Sequence, residues 1–453
     1  MKHKVTVPKE IYEIAERFRQ GGYECFLVGG AVRDQLLGRD AKDWDITTNA
    51  LPKQVMGLFK HVIPTGIKHG TVTVIYKDYH VETTTYRVDG KYTDGRRPDQ
   101  ISFSPSIRED LKRRDFTINS IAWDLINREL FDPNKGLKDL EAGIIRAIGK
   151  AEERFDEDGL RSIRACRFAA QLNFKVDEET LKGITKTHYR IPDLSKERIY
   201  EELMKIMGTD TPSLSFKLFR DTGLLKILFP ELAACIGVGQ KGSHHYDVFE
   251  HSIYACDGVP PTHKEVRIAA LLHDTGKPGS MGTSDSGEVT FHNHEKLSEK
   301  LAAAIMQRYR FPVKSMKKIG HLIGLHMFHY EPAWTDSAVR RLIARVGREN
   351  LEDLFLMRQG DIWGTARLER NNERLDALKE RIGHILEEEN AFSIKDLHIN
   401  GSQLHEQGGI PKSRKMGLVL EFLLEAVLDD PTLNYEEKLL EMGVKYYESN
   451  LES

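Results

Sequence analysis

The sequence predicts an α+β protein, a mixed α/β head followed by a longer and mostly helical body, and three observations carry that reading. Short apolar or alternating runs with strand character cluster in roughly the first 120 residues. From about Asp139 onward apolar residues recur at helical spacing, as in residues 139–174 and 196–207, and no long run of strands follows. Histidine is unevenly spread: ten of the 18 lie between residues 241 and 330, where an even spread places about 4, so this window is a candidate metal-binding domain.

Taken in order, Ile11, Ile14, Ala15 and Phe18 share one face of a first helix, which Gly21-Gly22 ends. Residues 24–30 (ECFLVGG) read as a buried strand entering a Gly-Gly turn, and 31–37 as the helix after it. Strands are expected at 44–47, 71–76 and 80–86, and an exposed loop at 276–287. A chain of 453 residues is long enough for two to four domains. No stretch approaches the ~18 apolar residues of a membrane span, and the N-terminus lacks the apolar core and cleavage site of a secretory signal, so a cytoplasmic protein is expected. Cys25, Cys166, Cys235 and Cys256 are far apart, without a C-x-x-C pair, and are expected as reduced thiols. Lys plus Arg number 66 against 69 for Asp plus Glu, a net charge of −3, so nucleic-acid binding requires a local basic surface.

Chemistry enters at Asp43-Trp44-Asp45. At a strand's period of two both carboxylates face the same side, ~6.5 Å apart at Cα, and such hard oxygen ligands suit Mg²⁺ in phosphoryl transfer. Alone, the pair also fits a solvated strand end. Gly29-Gly30 with Arg33 precedes it by about ten residues and supplies close backbone approach and a donor fork for a triphosphate, or simply a strand-to-helix turn. Glu82 adds a third carboxylate, a general base for an incoming hydroxyl, if its strand lies beside that of Asp45. Further on, Asp158 and Arg161 are three apart on an expected helix. They set an acceptor beside a donor fork, either as a surface ion pair or as a template for bases that carry an amine next to an unprotonated ring nitrogen. Cytosine and adenine do; guanine and uracil present the opposite order. Arg164 and Arg167 continue the step of three but drift around the helix. Arg164 then reaches phosphate or backs the template, and Arg167 faces RNA or pairs within the protein.

The runs LVGGAVRDQLLGR, DWDITT, RRDFTINSIAWD, DPNKGLKDLEAGIIRAIG and EDGLRSIRACRFAAQLNF, in this order, resemble the polymerase β-type nucleotidyltransferases. More specifically they are similar to the bacterial-type (class II) CCA-adding tRNA nucleotidyltransferase and poly(A) polymerase family. The resemblance implies a polymerase β-like nucleotidyltransferase head with Asp43 and Asp45 on Mg²⁺. It also implies nucleotide contacts from Gly30, Arg33, Arg114, Asp115, Asp158, Arg161, Arg164 and Arg167. His251, His273-Asp274, His294, His326 and Asp361 resemble the ligands of the HD phosphohydrolase superfamily and imply a divalent metal; Gly360 stands where a residue such as Ala is expected. The loop 87–98 fits a solvated hairpin connection and resembles the flexible loop of CCA-adding and A-adding members. The C-terminal segment looks like the family's tRNA-binding helical module, with Lys412-Ser413-Arg414 departing from the usual glycine after proline.

The implied organisation is a head at 1–145, a helical neck with the base template at 146–210, an HD domain at 211–375 and the tRNA-binding module at 376–453. The implied activity is addition of CMP and AMP to tRNA 3′ ends from CTP and ATP, without a membrane partner. The rivals are an A-adding enzyme or poly(A) polymerase, and an HD phosphohydrolase whose head only binds nucleotide or RNA.

Overall fold

The computed structural model describes residues 5–41, 43–89, 101–240, 245–285, 287–328, 330–366, 373–387 and 391–451. It divides into two compact units, Met1–Ala233 with Gln307–Arg310, and Ala234–Met306 with Phe311–Ser453.

The first unit opens with α1 (Lys9–Gln20), whose buried Ile11, Ile14, Ala15 and Phe18 form the expected apolar face. Strand β1 (Phe26–Val28) is buried throughout and leads through Gly29 into α2 (Gly30–Leu36). Then come β2 (Asp45–Thr48), α3 (Pro52–Leu58), β3 (Val62–Gly66), β4 (Thr71–Tyr76), β5 (Tyr79–Thr85), β6 (Arg87–Asp89), β7 (Ile101–Phe103), α4 (Ile107–Lys112), β8 (Ala122–Asp124) and β9 (Glu129–Phe131). Seven strands form one mixed sheet in the order β3-β4-β5-β2-β1-β8-β9, in which β2 and β5 run parallel. Strands β6 and β7 pair separately, and most of the loop expected at 87–98 lies outside the described residues.

Helices then dominate, with α5 (Gly136–Ala142), α6 (Ala151–Glu157), α7 (Leu160–Leu172), α8 (Glu178–Thr187) and α9 (Lys196–Ile206). The helical stretch expected over 139–174 is broken twice, over residues 143–150, where Ile144–Ile145 forms a short strand, and at Asp158, whose backbone is extended (φ −147°, ψ 103°). Asp158 is therefore not on the helix that carries Arg161, contrary to expectation. Its side chain instead accepts from the N–H of Leu160 at 3.1 Å, a local bond that competes with helix continuation.

In the second unit the HD-like segment is built from the helices Val248–Asp257, Lys264–Leu272, His294–Arg308, Val313–Leu325 and Leu351–Ala366. The first and last of these pack at backbone contact. A Cβ on Gly360 would lie 2.5 Å from the carbonyl oxygen of Ala255, and one on Gly364 would lie 2.6 Å from that of His251. Glycine rather than the expected alanine stands at 360 because a methyl group does not fit there. The C-terminal segment buries Leu404, Ile410, Val419, Leu423 and Leu439 in a small core of its own. Ser413 caps the helix Arg414–Asp429 by accepting from the N–H of Lys415, while nothing in the structure explains Lys412 in place of the expected glycine.

Candidate active site and candidate metal centre

The sheet register brings the head carboxylates together. Asp45 on β2 is directly opposite Glu82 on β5, so both side chains leave the same face of the sheet. Asp43 lies just ahead of β2 and is exposed. Burial, together with the like charges of Glu82 and Asp43, raises the Asp45 carboxyl to about 6 against the opposing pull of Arg114. Three carboxylates facing one another without a cation repel, and a hard divalent ion is what such a donor set suits.

Gly29 closes this corner. Its φ of +74° with ψ of −136° suits only glycine, and a Cβ there would lie 3.4 Å from Arg114 Nη1 and 3.8 Å from Asp45 Oδ2. The positive φ thus falls on Gly29, while Gly30 is the first residue of α2. Arg114 donates weakly to Asp110 (Nη2 to Oδ2, 3.4 Å), and its buried Nε has no hydrogen-bond partner, a donor suited to a phosphate oxygen.

Asp110 was not anticipated. It is fully buried and accepts from Arg113 at 2.7 and 2.9 Å and from Thr47 at 3.3 Å. Burial raises its pKa, but Arg113 and Arg114 outweigh that and hold it below the usual range. The visible signal was its spacing of three and four residues before the two arginines.

Several expected nucleotide contacts face inward instead. Arg33 is buried, donates to Asn119 at 2.8 Å and to Asp34 at 2.8 Å, and lies 5.1 Å over the Phe168 ring, so it braces the Gly30 turn rather than offering an open fork. Asp115 accepts from Arg164 at 2.6 and 2.8 Å, from Asn119 at 3.1 Å and from the N–H of Phe116. Burial opposes its ionisation, yet Arg164 and Asn119 hold it down to about 2. Arg164 therefore backs the RRD motif. Arg167 is buried against Glu202 at 2.5 Å, a pairing within the protein that removes it from the expected nucleotide contacts, because the drift of three-residue steps turns it inward. Asp158 pairs with Arg198, and Arg161 with Glu157 at 2.8 Å, so the two side chains expected as template acceptor and donor are each held by another residue.

In the second unit His251, His273, Asp274, His294, His326 and Asp361 converge as expected from sequence. His251 Nε2 is 3.1 Å from Asp361 Oδ1 and 3.2 Å from His273 Nε2; His294 Nε2 is 3.3 Å from His326 Nε2. Asp274 turns Oδ2 toward His273 (3.2 Å) and Oδ1 toward His294 (3.3 Å). The Nδ1 atoms of His273, His294 and His326 each lie within 2.8 Å of a backbone carbonyl, which turns Nε2 inward as the nitrogen free to meet a metal. Burial lowers the His273 pKa, but Asp274 and Asp361 push it up to about 10; burial and the His273 charge bring His326 down to about 4. Lys277 on Asp274 and Arg358 on Asp361 were missed by the sequence reading, although each sits three residues from its partner.

Comparison with known proteins matches residues 25–146 to the poly(A) polymerase head domain, 173–236 to the probable RNA- and SrmB-binding site of polymerase A, and 242–361 to the HD domain. The three matched segments lie in the order that the CCA-adding and poly(A) polymerase family of nucleotidyltransferases shows, and the chain is similar to members of that family. Within that family it is 46% identical over 211 residues to the CCA-adding enzyme of Lactobacillus johnsonii, covering 47% of this chain and 53% of that one. It is 45% identical over 205 residues to that of Enterococcus faecalis, covering 45% and 50%. The chain thus spans about half the length of the curated relatives it matches. The Bacillus stearothermophilus CCA-adding enzyme, solved in complex with CTP, superposes over 99% of this chain and 100% of its own with a TM-score of 0.75 at 26% identity. Among the described residues, no helix is long and apolar enough to cross a membrane.

Proposed function

We propose that this chain adds CMP and AMP to the 3′ end of tRNA, using CTP and ATP without a nucleic-acid template, as a cytoplasmic enzyme. The observation that carries the reading is the in-register pair Asp45 and Glu82 beside Gly29 and the unpartnered Nε of Arg114. The tRNA 3′-hydroxyl attacks the α-phosphorus of the bound nucleotide, pyrophosphate leaves, and Glu82 takes the hydroxyl proton. Asp43 and Asp45 would hold Mg²⁺, which supplies charge neutralisation at the reacting phosphates. Arg114 binds the triphosphate, and Asp115 keeps the motif in place through Arg164. Asp158 and Arg161, each already oriented, select bases that offer an amine next to a ring acceptor. That the solved enzyme of like fold was crystallised with CTP supports the choice of substrate.

In the same reading the chain divides into head (1–145), neck (146–210), HD domain (211–375) and tRNA-binding module (376–453). The HD side chains would hold a divalent metal, since their carboxylates and their imidazoles, His273 after loss of its proton, form an N/O donor set. Single-turnover extension of tRNA ending at the discriminator base, at C or at CC, with CTP and ATP supplied separately, tests the proposal. Stepwise CMP, CMP and AMP incorporation is expected. Addition of AMP alone would replace it with an A-adding enzyme.

A further inference from the structure

Helix α9 holds three charged side chains of the neck, Asp158, Arg164 and Arg167. The guanidinium of Arg198 spans the Asp158 carboxylate, Nη1 to Oδ1 at 3.2 Å and Nη2 to Oδ2 at 2.7 Å. One turn along, Glu202 binds Arg167 and lies 3.7 Å from Arg164. The helix therefore presents a cation and then an anion to the opposite order of charges at Asp158, Arg164 and Arg167.

The grip matters because Asp158 is outside regular structure, in the extended break between α6 and α7, where no helical rotamer fixes its side chain. An ionised carboxylate has about four lone-pair sites. Arg198 takes one on each oxygen and the Leu160 N–H takes a second on Oδ1, which leaves a single site, on Oδ2. The carboxylate plane is set by the planar fork, and what remains fits one amine hydrogen.

We propose that Arg198 is a specificity-determining positioning residue, whose two-pronged grip aims the one remaining acceptor of Asp158 at the exocyclic amine of the incoming nucleotide. The inference rests on the base-selecting reading of Asp158 and Arg161. A base with a carbonyl at that position, as in UTP or GTP, meets a fixed acceptor and is rejected. Without Arg198 the carboxylate rotates and the rejection weakens.

The test uses the full chain with Arg198→Met, Arg198→Lys and Asp158→Asn, on tRNA ending at the discriminator base with CTP against UTP, and at CC with ATP against GTP. Arg198→Met should lower both preferences in kcat/KM about tenfold, the effect expected from one mis-set polar contact, with the KM for tRNA unchanged. Arg198→Lys, which keeps the charge and gives up the fork, should fall between. A merely structural role would lower all four nucleotides together and leave the ratios intact, and that outcome overturns the proposal. If Asp158→Asn loses discrimination while both Arg198 variants keep it, the role of Arg198 alone fails; if all three keep it, the base-selecting reading fails with it. Should Arg198→Met not fold, the ratios of Arg198→Lys decide: unchanged values overturn the proposal, lowered values support it.

Discussion

Asp45 and Glu82 stand opposite each other on the parallel strands β2 and β5, two carboxylates from segments 37 residues apart brought to one face by register alone. A one-residue slip of either strand would send one carboxylate to the other face. The parallel pairing of these two strands is thus the feature on which the proposed chemistry depends.

Replacing Asp43 or Asp45 by Ala should abolish incorporation of both CMP and AMP while leaving tRNA binding largely intact, because the carboxylates act on the metal and not on the RNA. Extension assays with each variant check this. Near-normal addition by both variants would remove these residues from the reaction.

Exchanging Asp158 and Arg161 for each other reverses the order of acceptor and donor. The double variant should lose one to two decades of preference for CTP and ATP, since one mismatched polar contact costs ~1 to 3 kcal/mol, and should admit UTP or GTP. Kinetics with all four nucleotides decide the matter; an unchanged preference would assign selection to another surface.

The HD ligands belong to a different compact unit from the head carboxylates. Asp274→Ala should therefore lower bound metal at the HD centre, read by elemental analysis of the purified protein, and leave CMP incorporation within about twofold of the parent. A folded variant unable to add CMP would tie the centre to the head reaction.

Asp115 titrates at about 2 in the fold, against ~3.9 for a free aspartate. A depressed carboxylate pKa contributes stability above the unfolded value and loses it as pH falls through the folded one, so the contribution is full near pH 7 and gone by about pH 2. Asp115→Asn should destabilise its surroundings by ~2 kcal/mol at pH 7, and the gap to the parent should close between about pH 5 and 2. Hydrogen exchange of the amides at 116–120 at the two ends of that range measures it.

Gly360→Ala forces a methyl group onto the Ala255 carbonyl. The expected result is a loss of ~1 to 3 kcal/mol in the second unit, with weaker metal retention because His251 and Asp361 are on the two helices driven apart. Unaltered thermal unfolding and metal content would show that the helices separate freely.

Much of this was legible in the one-dimensional record. The strand and helix periods located the elements of the head and the histidine excess pointed to the HD ligands, both of which depend on local order along the chain. The strand alternation expected to join Asp43 and Asp45 on one face does not apply, because β2 begins at Asp45. What local order does not contain is the direction of long side chains and the partner each one finds. Arg33 looked like a phosphate donor and is buried against Asn119, and Arg167, open to RNA or to a partner within the protein, is buried against Glu202. Asp158 looked like the helical neighbour of Arg161, whereas a break in the helix turns it to Arg198, forty residues away. The sequence alone determined which charged groups and glycines are present and at what spacing. Only the tertiary structure decided which charge meets which, because a buried ion must be paired by whatever the packing brings within reach, as Glu202 of α9 does for Arg167 of α7.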